Sequence, residues 1–212
     1  NIMLKIFHVP GTRSVRVIWL CEELKIPYEV QLISFAPEFR LSPEWLKLNP
    51  VGKVPAMTDD DGLSMFESGA MVQYLLQTQG NGRLEPSVDS PEYSQYLQWC
   101  WFAEATFARP LGEIVNHKRA IPKDEQSETA IVEMQTRSRL CWRAVGDAVG
   151  PEGYLCEEFT AADIIMGYSM MLCDKLAPSD ESVNATAYWN RLKQRDGFKT
   201  AVEYGAGQPS PL

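Results

Sequence analysis

The spacing of hydrophobic and polar positions changes several times along the first eighty residues. Residues 3–8 (MLKIFH) have the short apolar pattern of a buried strand, and PGT at 10–12 is a turn. In RSVRVIWLCEEL (13–24), Val15, Ile18 and Trp19 recur at helical spacing; Glu22 interrupts the apolar face and Leu20 and Leu24 restore it. KIP breaks that helix, and YEVQLI (28–33) reads as a second strand. A strand, a helix and a strand at this spacing form a βαβ unit with parallel strands. PEWLKL (43–48) is expected as a short helix with Pro43 in its first turn. PAMTDDDGLSMF (55–66) sets two short strands around an Asp-Gly turn, a strong hairpin signal. GAMVQYLLQ (69–77) is an amphipathic helix that Ser68 is placed to cap.

The stretch QGNGRLEPSVDSPE (79–92) is rich in Gly, Pro, Ser and Asn and reads as a linker. Strand signatures are missing after it. Helices are expected near 91–118, 124–149, 160–176 and 184–195, with a short one near 197–203. Thr160 to Asp163 forms a capping-box pattern ahead of an apolar run. The expected order is β-α-β, a short helix and β-β-α over residues 1–80, a linker over 81–90 and an all-α segment over 91–212.

Composition narrows the function classes. The 212 residues are 45% hydrophobic and 23% charged, ordinary for a globular protein. The net charge of −8 argues against a generic nucleic-acid binder. The longest apolar run, IIMGYSMMLC (164–173), is helix-sized and too short to span a bilayer, so no membrane partner is expected. The chain enters a strand pattern at once, without signal-peptide architecture. Five scattered cysteines without a CxxC, and only two histidines, suggest neither a disulfide framework nor a metal centre. The expected location is the cytoplasm, with no metal cofactor.

The segment NPVGKVPAM (49–57) carries the first chemical signal. Proline lacks the N–H that a paired strand requires, yet Pro55 stands where a strand begins. The proline also holds Val54 extended. Nearby, Glu67-Ser68 opens a helix, whose N-terminal N–H groups favour an anion. A capping serine and a strand-end carboxylate would be the ordinary reading of that pair.

Taken together, RSVRVIWLCEELKIPYEV (13–30), SPEWLKLNPVGKVPAM (42–57), DGLSMFESGAMVQYL (61–75) and FTAADI (159–164) resemble the cytosolic glutathione transferase family, through nearly the whole chain. WLCEELKIPYE is most similar to its bacterial and fungal members. The resemblance implies a thioredoxin-like α/β glutathione-binding domain over residues 1–80 and an all-α domain over 91–212, and a cis Val54-Pro55 bond with the Val54 backbone facing the cysteinyl part of glutathione. It implies that Ser68 receives the γ-glutamyl carboxylate, Glu67 the ammonium, and Lys53 the glycyl carboxylate, with Arg40 a second candidate. Family members carry Tyr, Ser or Cys near the end of the first strand; here the sequence is FHVPGTRSVR, so the resemblance falls on Thr12 or Ser14 as the hydroxyl that stabilises the thiolate. Either residue could instead simply cap the first helix. Cys21 lies inside that helix and is expected to be a small core residue.

The second substrate is expected to be a small apolar electrophile or a peroxide, met by Pro10, Gly11, Tyr96, Glu104 and Phe107. Tyr96 and Phe107 lie on an aromatic stripe that helical spacing more often assigns to a core. The resemblance thus implies a homodimeric detoxification enzyme using glutathione as co-substrate. Two alternatives stand beside it: a glutathione-dependent isomerase, dehalogenase or etherase on the same scaffold, and a non-catalytic glutathione-binding module.

Overall fold

The computed structural model describes residues 3–212. Its residues group into two compact units, one running through Arg83 and including Gln194–Leu212, the other Leu84–Lys193.

In the first unit, β1 (Leu4–His8), α1 (Ser14–Leu24) and β2 (Tyr28–Leu32) form the expected βαβ unit, with β1 and β2 parallel and Leu4 opposite Tyr28. Lys25, in the left-handed conformation, ends α1 by donating its N–H to Cys21 and Glu22 carbonyls. Two short helices follow, α2 (Pro37–Arg40) and α3 (Pro43–Leu48). The Ser42 side chain caps α3, accepting from the Trp45 N–H, and Pro43 occupies the first turn. Next come β3 (Ala56–Thr58), β4 (Ser64–Phe66) and α4 (Ser68–Leu75), which continues as a π-helical turn over Leu76–Gly80. The sheet order is β2-β1-β3-β4, and β3 runs antiparallel to both of its neighbours. The hairpin loop is held by Asp59, whose carboxylate accepts from the Asp61 and Leu63 N–H groups. This is a thioredoxin-like α/β arrangement. Its core joins Leu4 and Ile6 of β1, Val17 to Leu20 of α1, Met57 of β3 and Met71 of α4, all buried.

The second unit is all helical: α5 (Tyr93–Trp101), α6 (Arg109–Ala120), α7 (Glu128–Val149), α8 (Ala161–Leu176) and α9 (Val183–Gln194). The continuous helix expected over 91–118 is instead interrupted by a π-helical segment at Phe102–Ala108. Pro110 supplies the reason, since its ring cannot donate to the carbonyl one α-helical turn back and would collide with it. Ser169 of α8 donates its hydroxyl to the Ala103 carbonyl in that segment, 2.7 Å away. The capping box at α8 is present. Asp163 is fully buried and accepts from the Thr160 N–H (2.9 Å), the Leu155 N–H (3.1 Å) and the Tyr188 hydroxyl (2.6 Å).

The sequence placed residues 197–203 in the helical domain, but the structure groups them with the first unit. There α10 (Asp196–Glu203) packs on α1, with the Phe198 and Trp19 rings edge to face at 5.1 Å. Gly197 permits this approach, because a Cβ there would lie 2.8 Å from the Trp19 ring. Arg195 makes a two-pronged ion pair with Glu23, at 2.7 and 2.8 Å. Burial works against the Glu23 carboxylate, but hydrogen bonds from Arg195 and Trp19 and the Arg195 charge outweigh it and hold the carboxyl below its usual range.

Replacing Asp163 by Ala strips partners from three buried donors at once. Chemical denaturation of the D163A variant is expected to show a loss of about 3–5 kcal/mol, the size seen when one member of a buried polar network is removed.

Candidate functional site

The sheet register determines which loops meet. Ala56 pairs with Phe7 on one side and with Phe66 on the other, both antiparallel. The chain after β1, the chain before β3 and the chain after β4 therefore leave the sheet at the same edge. These are the turn at 10–12, the Val54-Pro55 step and the Glu67-Ser68 pair. Three short sequence phrases, up to sixty residues apart, are brought together by two ladders.

Each loop is tied down by its own residues. Val54-Pro55 is cis, as the resemblance implied. β3 begins at Ala56, so both residues lie ahead of the ladder. Asn49, buried, donates its amide N–H to the Pro55 carbonyl (3.2 Å) and accepts from the Val51 N–H (3.4 Å). Gly52 is left-handed at φ 63°, and a Cβ there would lie 2.7 Å from the Arg40 carbonyl. Arg40 donates to the Phe35 carbonyl (2.8 Å) and the Gly52 carbonyl (3.1 Å), and its guanidinium lies 4.3 Å from the centre of the Phe35 ring. These bonds brace the 35–52 loop. Lys53 is exposed, and its carbonyl accepts from the Trp45 indole at 3.2 Å.

At the third loop, Ser68 is the first residue of α4 and not its cap; the cap position is Glu67, and no side chain caps this helix. Glu67 has φ 78°, a conformation non-glycine residues rarely adopt, and its side chain is exposed. Ser68 is buried, and its hydroxyl oxygen accepts from the guanidinium of Arg16 at 3.4 Å. Arg16 is itself fully buried on α1. The sequence reading missed it. The signal was a cation inside the apolar run SVRVIWL, where a solvated side chain has no room.

The turn after β1 contains a chain of hydrogen bonds. Thr12 Oγ1 donates to the Val9 carbonyl at 2.8 Å and lies 2.7 Å from Ser14 Oγ. Ser14 Oγ is 2.7 Å from His8 Nδ1, and His8 Nε2 is 3.1 Å from the Tyr204 carbonyl. A carbonyl only accepts, so Nε2 carries a proton, and in the neutral ring Nδ1 accepts from Ser14. Burial pushes the His8 imidazole below its ordinary range, with the Tyr204 carbonyl acting in the opposite sense. His8 and Ser14 are fully buried, while Thr12 retains 7% exposure. Both candidate residues are buried, and of the two only Thr12 keeps any exposure. Gly11 is left-handed at φ 73°; Ser210 Oγ donates to the Pro10 carbonyl at 2.8 Å, and a Cβ at Gly11 would meet Ser210 Oγ at 2.7 Å.

The remaining candidates lie in the helical unit. Tyr96 and Phe107 are at most 1% exposed and belong to its core, so they present no surface to a ligand in this structure. Glu104 is half-buried in the π-helical segment. Cys21 is fully buried, and desolvation pushes its thiol up to about 12, which removes it as a nucleophile. Among the described residues, no cluster of three His, Cys, Asp or Glu side chains could hold a metal ion, and no helix is long and apolar enough to cross a membrane.

Comparisons with known proteins agree with this geometry. Residues 3–77 match the family described as "Glutathione S-transferase, N-terminal domain". Glutathione S-transferase 3 of Schizosaccharomyces pombe is 35% identical over 104 residues, covering 49% of this chain and 42% of that protein. The Disulfide-bond oxidoreductase YfcG of Escherichia coli is 28% identical over 127 residues, covering 57% of this chain and 58% of that protein. The matched stretches thus span less than two thirds of either relative. The glutathione transferase URE2P8 of Phanerochaete chrysosporium, crystallised with oxidized glutathione, has the same fold at a TM-score of 0.85 and 22% identity, over 96% of this chain and 95% of that one. Residues 3–77 are thus similar to the N-terminal domain of glutathione S-transferases, and the fold, a thioredoxin-like α/β domain and an all-helical domain, is the one found in that solved structure.

Replacing Gly52 by Ala puts a Cβ against the Arg40 carbonyl in a left-handed conformation. Thermal unfolding is expected to show a loss of about 1–3 kcal/mol, from backbone strain together with the displaced Arg40 brace.

Proposed function

We propose that this chain is a cytosolic glutathione transferase that binds glutathione along the sheet edge and stabilises its thiolate for attack on an electrophilic carbon or a peroxide. The observation that carries the reading is the convergence of the Thr12 turn, the Val54-Pro55 step and Ser68 at one edge, with a buried guanidinium beneath Ser68. Glutathione is an anion with one ammonium group, and this edge offers complementary groups. The uncapped N-terminus of α4 and Ser68 would hold the γ-glutamyl carboxylate, and Arg16 adds positive potential from below. Glu67 is the acceptor for the ammonium, and Lys53 and Arg40 are the candidate cations for the glycyl carboxylate. The Val54 backbone would pair with the cysteinyl unit.

Thr12 is the group for sulfur. Bringing a thiol with an ordinary pKa of about 8.5 to half-ionisation near neutrality takes about 2 kcal/mol of preferential stabilisation. One hydroxyl donated to a charged acceptor supplies about 1.5–3 kcal/mol. The turn holds no cysteine, so disulfide exchange through a protein thiol there has no participant. The electrophile, the homodimer and a cytoplasmic location belong to the same proposal. Isomerisation, dehalogenation and ether cleavage would use the same thiolate and are separated by a substrate panel.

Calorimetric titration of glutathione tests this reading directly. Ser68→Ala is expected to raise the Kd about tenfold, equal to about 1.4 kcal/mol. An unchanged Kd would remove Ser68 from the site, and absence of binding to the wild type would leave a scaffold with no glutathione chemistry. Thr12→Val is expected to preserve binding while raising the pKa of the bound thiol by one unit or more, followed by ultraviolet thiolate absorbance; each unit corresponds to about 1.36 kcal/mol.

A further inference from the structure

The chain of groups beneath Thr12 is one proton short. It has three contacts to fill: Ser14 Oγ with His8 Nδ1, Ser14 Oγ with Thr12 Oγ1, and Thr12 Oγ1 with the Val9 carbonyl. Two hydroxyls bring two protons. His8 has none to add at Nδ1, because its proton is held at Nε2 by the Tyr204 carbonyl. Ser14 therefore gives its proton to His8, and the single proton of Thr12 has two acceptors at 2.8 and 2.7 Å. In this state Thr12 can turn toward a sulfur only by leaving two oxygen lone pairs facing each other across 2.7 Å.

We propose that His8 accepts the thiol proton of bound glutathione through Thr12 and Ser14, which makes it the positioning residue for the Thr12 hydroxyl. The proposal rests on the glutathione reading of the site. The S–H bond breaks and its proton goes to Thr12 Oγ1; the proton of Thr12 passes to Ser14 Oγ; the proton of Ser14 passes to His8 Nδ1. The products are a thiolate and an imidazolium, with no change in total charge and no oxidant or reductant involved. Every link now has one donor: Nδ1–H to Ser14, Ser14 O–H to Thr12, and Thr12 O–H to sulfur. The Val9 carbonyl keeps the Thr12 backbone N–H, at 3.3 Å.

Burial defines the path of transfer, and the thiolate must offset its cost. His8 and Ser14 have no exposure, so a proton entering at Thr12 has a path inward along hydrogen bonds of 2.7 Å. The empty site keeps the imidazole neutral because a buried charge is costly. The thiolate formed at the other end of the same chain provides the compensating charge. His8 also occupies a core-facing position of β1, on the face shared by Leu4 and Ile6, where an apolar residue would serve a purely structural purpose.

The full chain contains only two histidines, so nitrogen NMR of histidine-labelled protein reads His8 directly, with His117→Gln assigning the second signal. Glutathione and S-methylglutathione are compared, each at a concentration shown by calorimetry to saturate the protein. The expected result is protonation of His8 Nδ1 with glutathione and a neutral ring with S-methylglutathione, which has no thiol proton to give. Ser14→Ala, and independently Thr12→Val, are expected to bind glutathione and leave His8 neutral. A neutral His8 in the saturated wild-type glutathione complex overturns the relay alone. An imidazolium that forms equally with S-methylglutathione also overturns it, since the proton then has another source. Failure of both ligands to bind removes the functional reading, and the relay with it.

Discussion

The position of β3 between β1 and β4 is the constraint on which the rest of the first unit depends. Two antiparallel ladders meet at Ala56, and they alone decide that the turn after β1, the step before β3 and the pair after β4 leave by one edge. Because strand side chains alternate, a one-residue slip of β3 would turn Met57 out of the core and carry Pro55 into the ladder, where its missing N–H would leave a carbonyl unpaired. The buried face of Met57 and the chemistry of Pro55 therefore enforce the same register. Asn49 adds to it by holding the Pro55 carbonyl from the side.

Two polar groups lie inside the apolar layer formed by β1 and α1, and both point toward that edge. His8 ends β1 on its core-facing side, and Arg16 sits between Val15 and Val17 on α1. Burying an imidazole and a guanidinium costs free energy that an apolar pair would not. Each reaches a surface loop through a hydroxyl: His8 through Ser14 to Thr12, and Arg16 through Ser68. The layer that stabilises the fold thus also sets the electrostatics of the edge. The strain at Glu67, with φ 78°, falls at the same place.

Much of this was legible from local signals. The βαβ unit follows from a change of hydrophobic period, the hairpin from Asp-Gly, and the start of α8 from Thr160 and Asp163. These features depend on residues within a few positions of one another. What was not legible depends on distant partners or on competition within a helix. Helix α2 has only four residues and no buried side chain, too little to register as a period. The π-helical segment precedes Pro110, whose local effect is masked in sequence by the long helical pattern around it. Ser68 looked like a cap because serine before an apolar run usually is one; the strained backbone at Glu67 moves the helix start by one residue. The hydrogen-bond chain that links Thr12, Ser14 and His8 could not be read from sequence, since it depends on how β1 and the first turn of α1 are packed.

The assignment of residues 194–212 shows why that distinction matters for the site. Sequence order attaches this segment to the helices before it, yet Trp19 with Phe198 and Glu23 with Arg195 bind it to α1. Once docked, it touches the Thr12 turn from two directions: the Tyr204 carbonyl meets His8, 196 positions away, and Ser210 meets the Pro10 carbonyl, 200 positions away. The first contact selects the tautomer of His8, which decides where the proton of Ser14 goes and so what Thr12 can offer. The second lies against Gly11, where any side chain would collide with it. A turn that reads locally as a simple Pro-Gly-Thr bend therefore takes its conformation and its proton arrangement from the far end of the chain. Hydrophobic docking of α10 is thus a precondition for the hydrogen-bond order of the turn, because without it Nε2 of His8 loses the acceptor that distinguishes its two nitrogens.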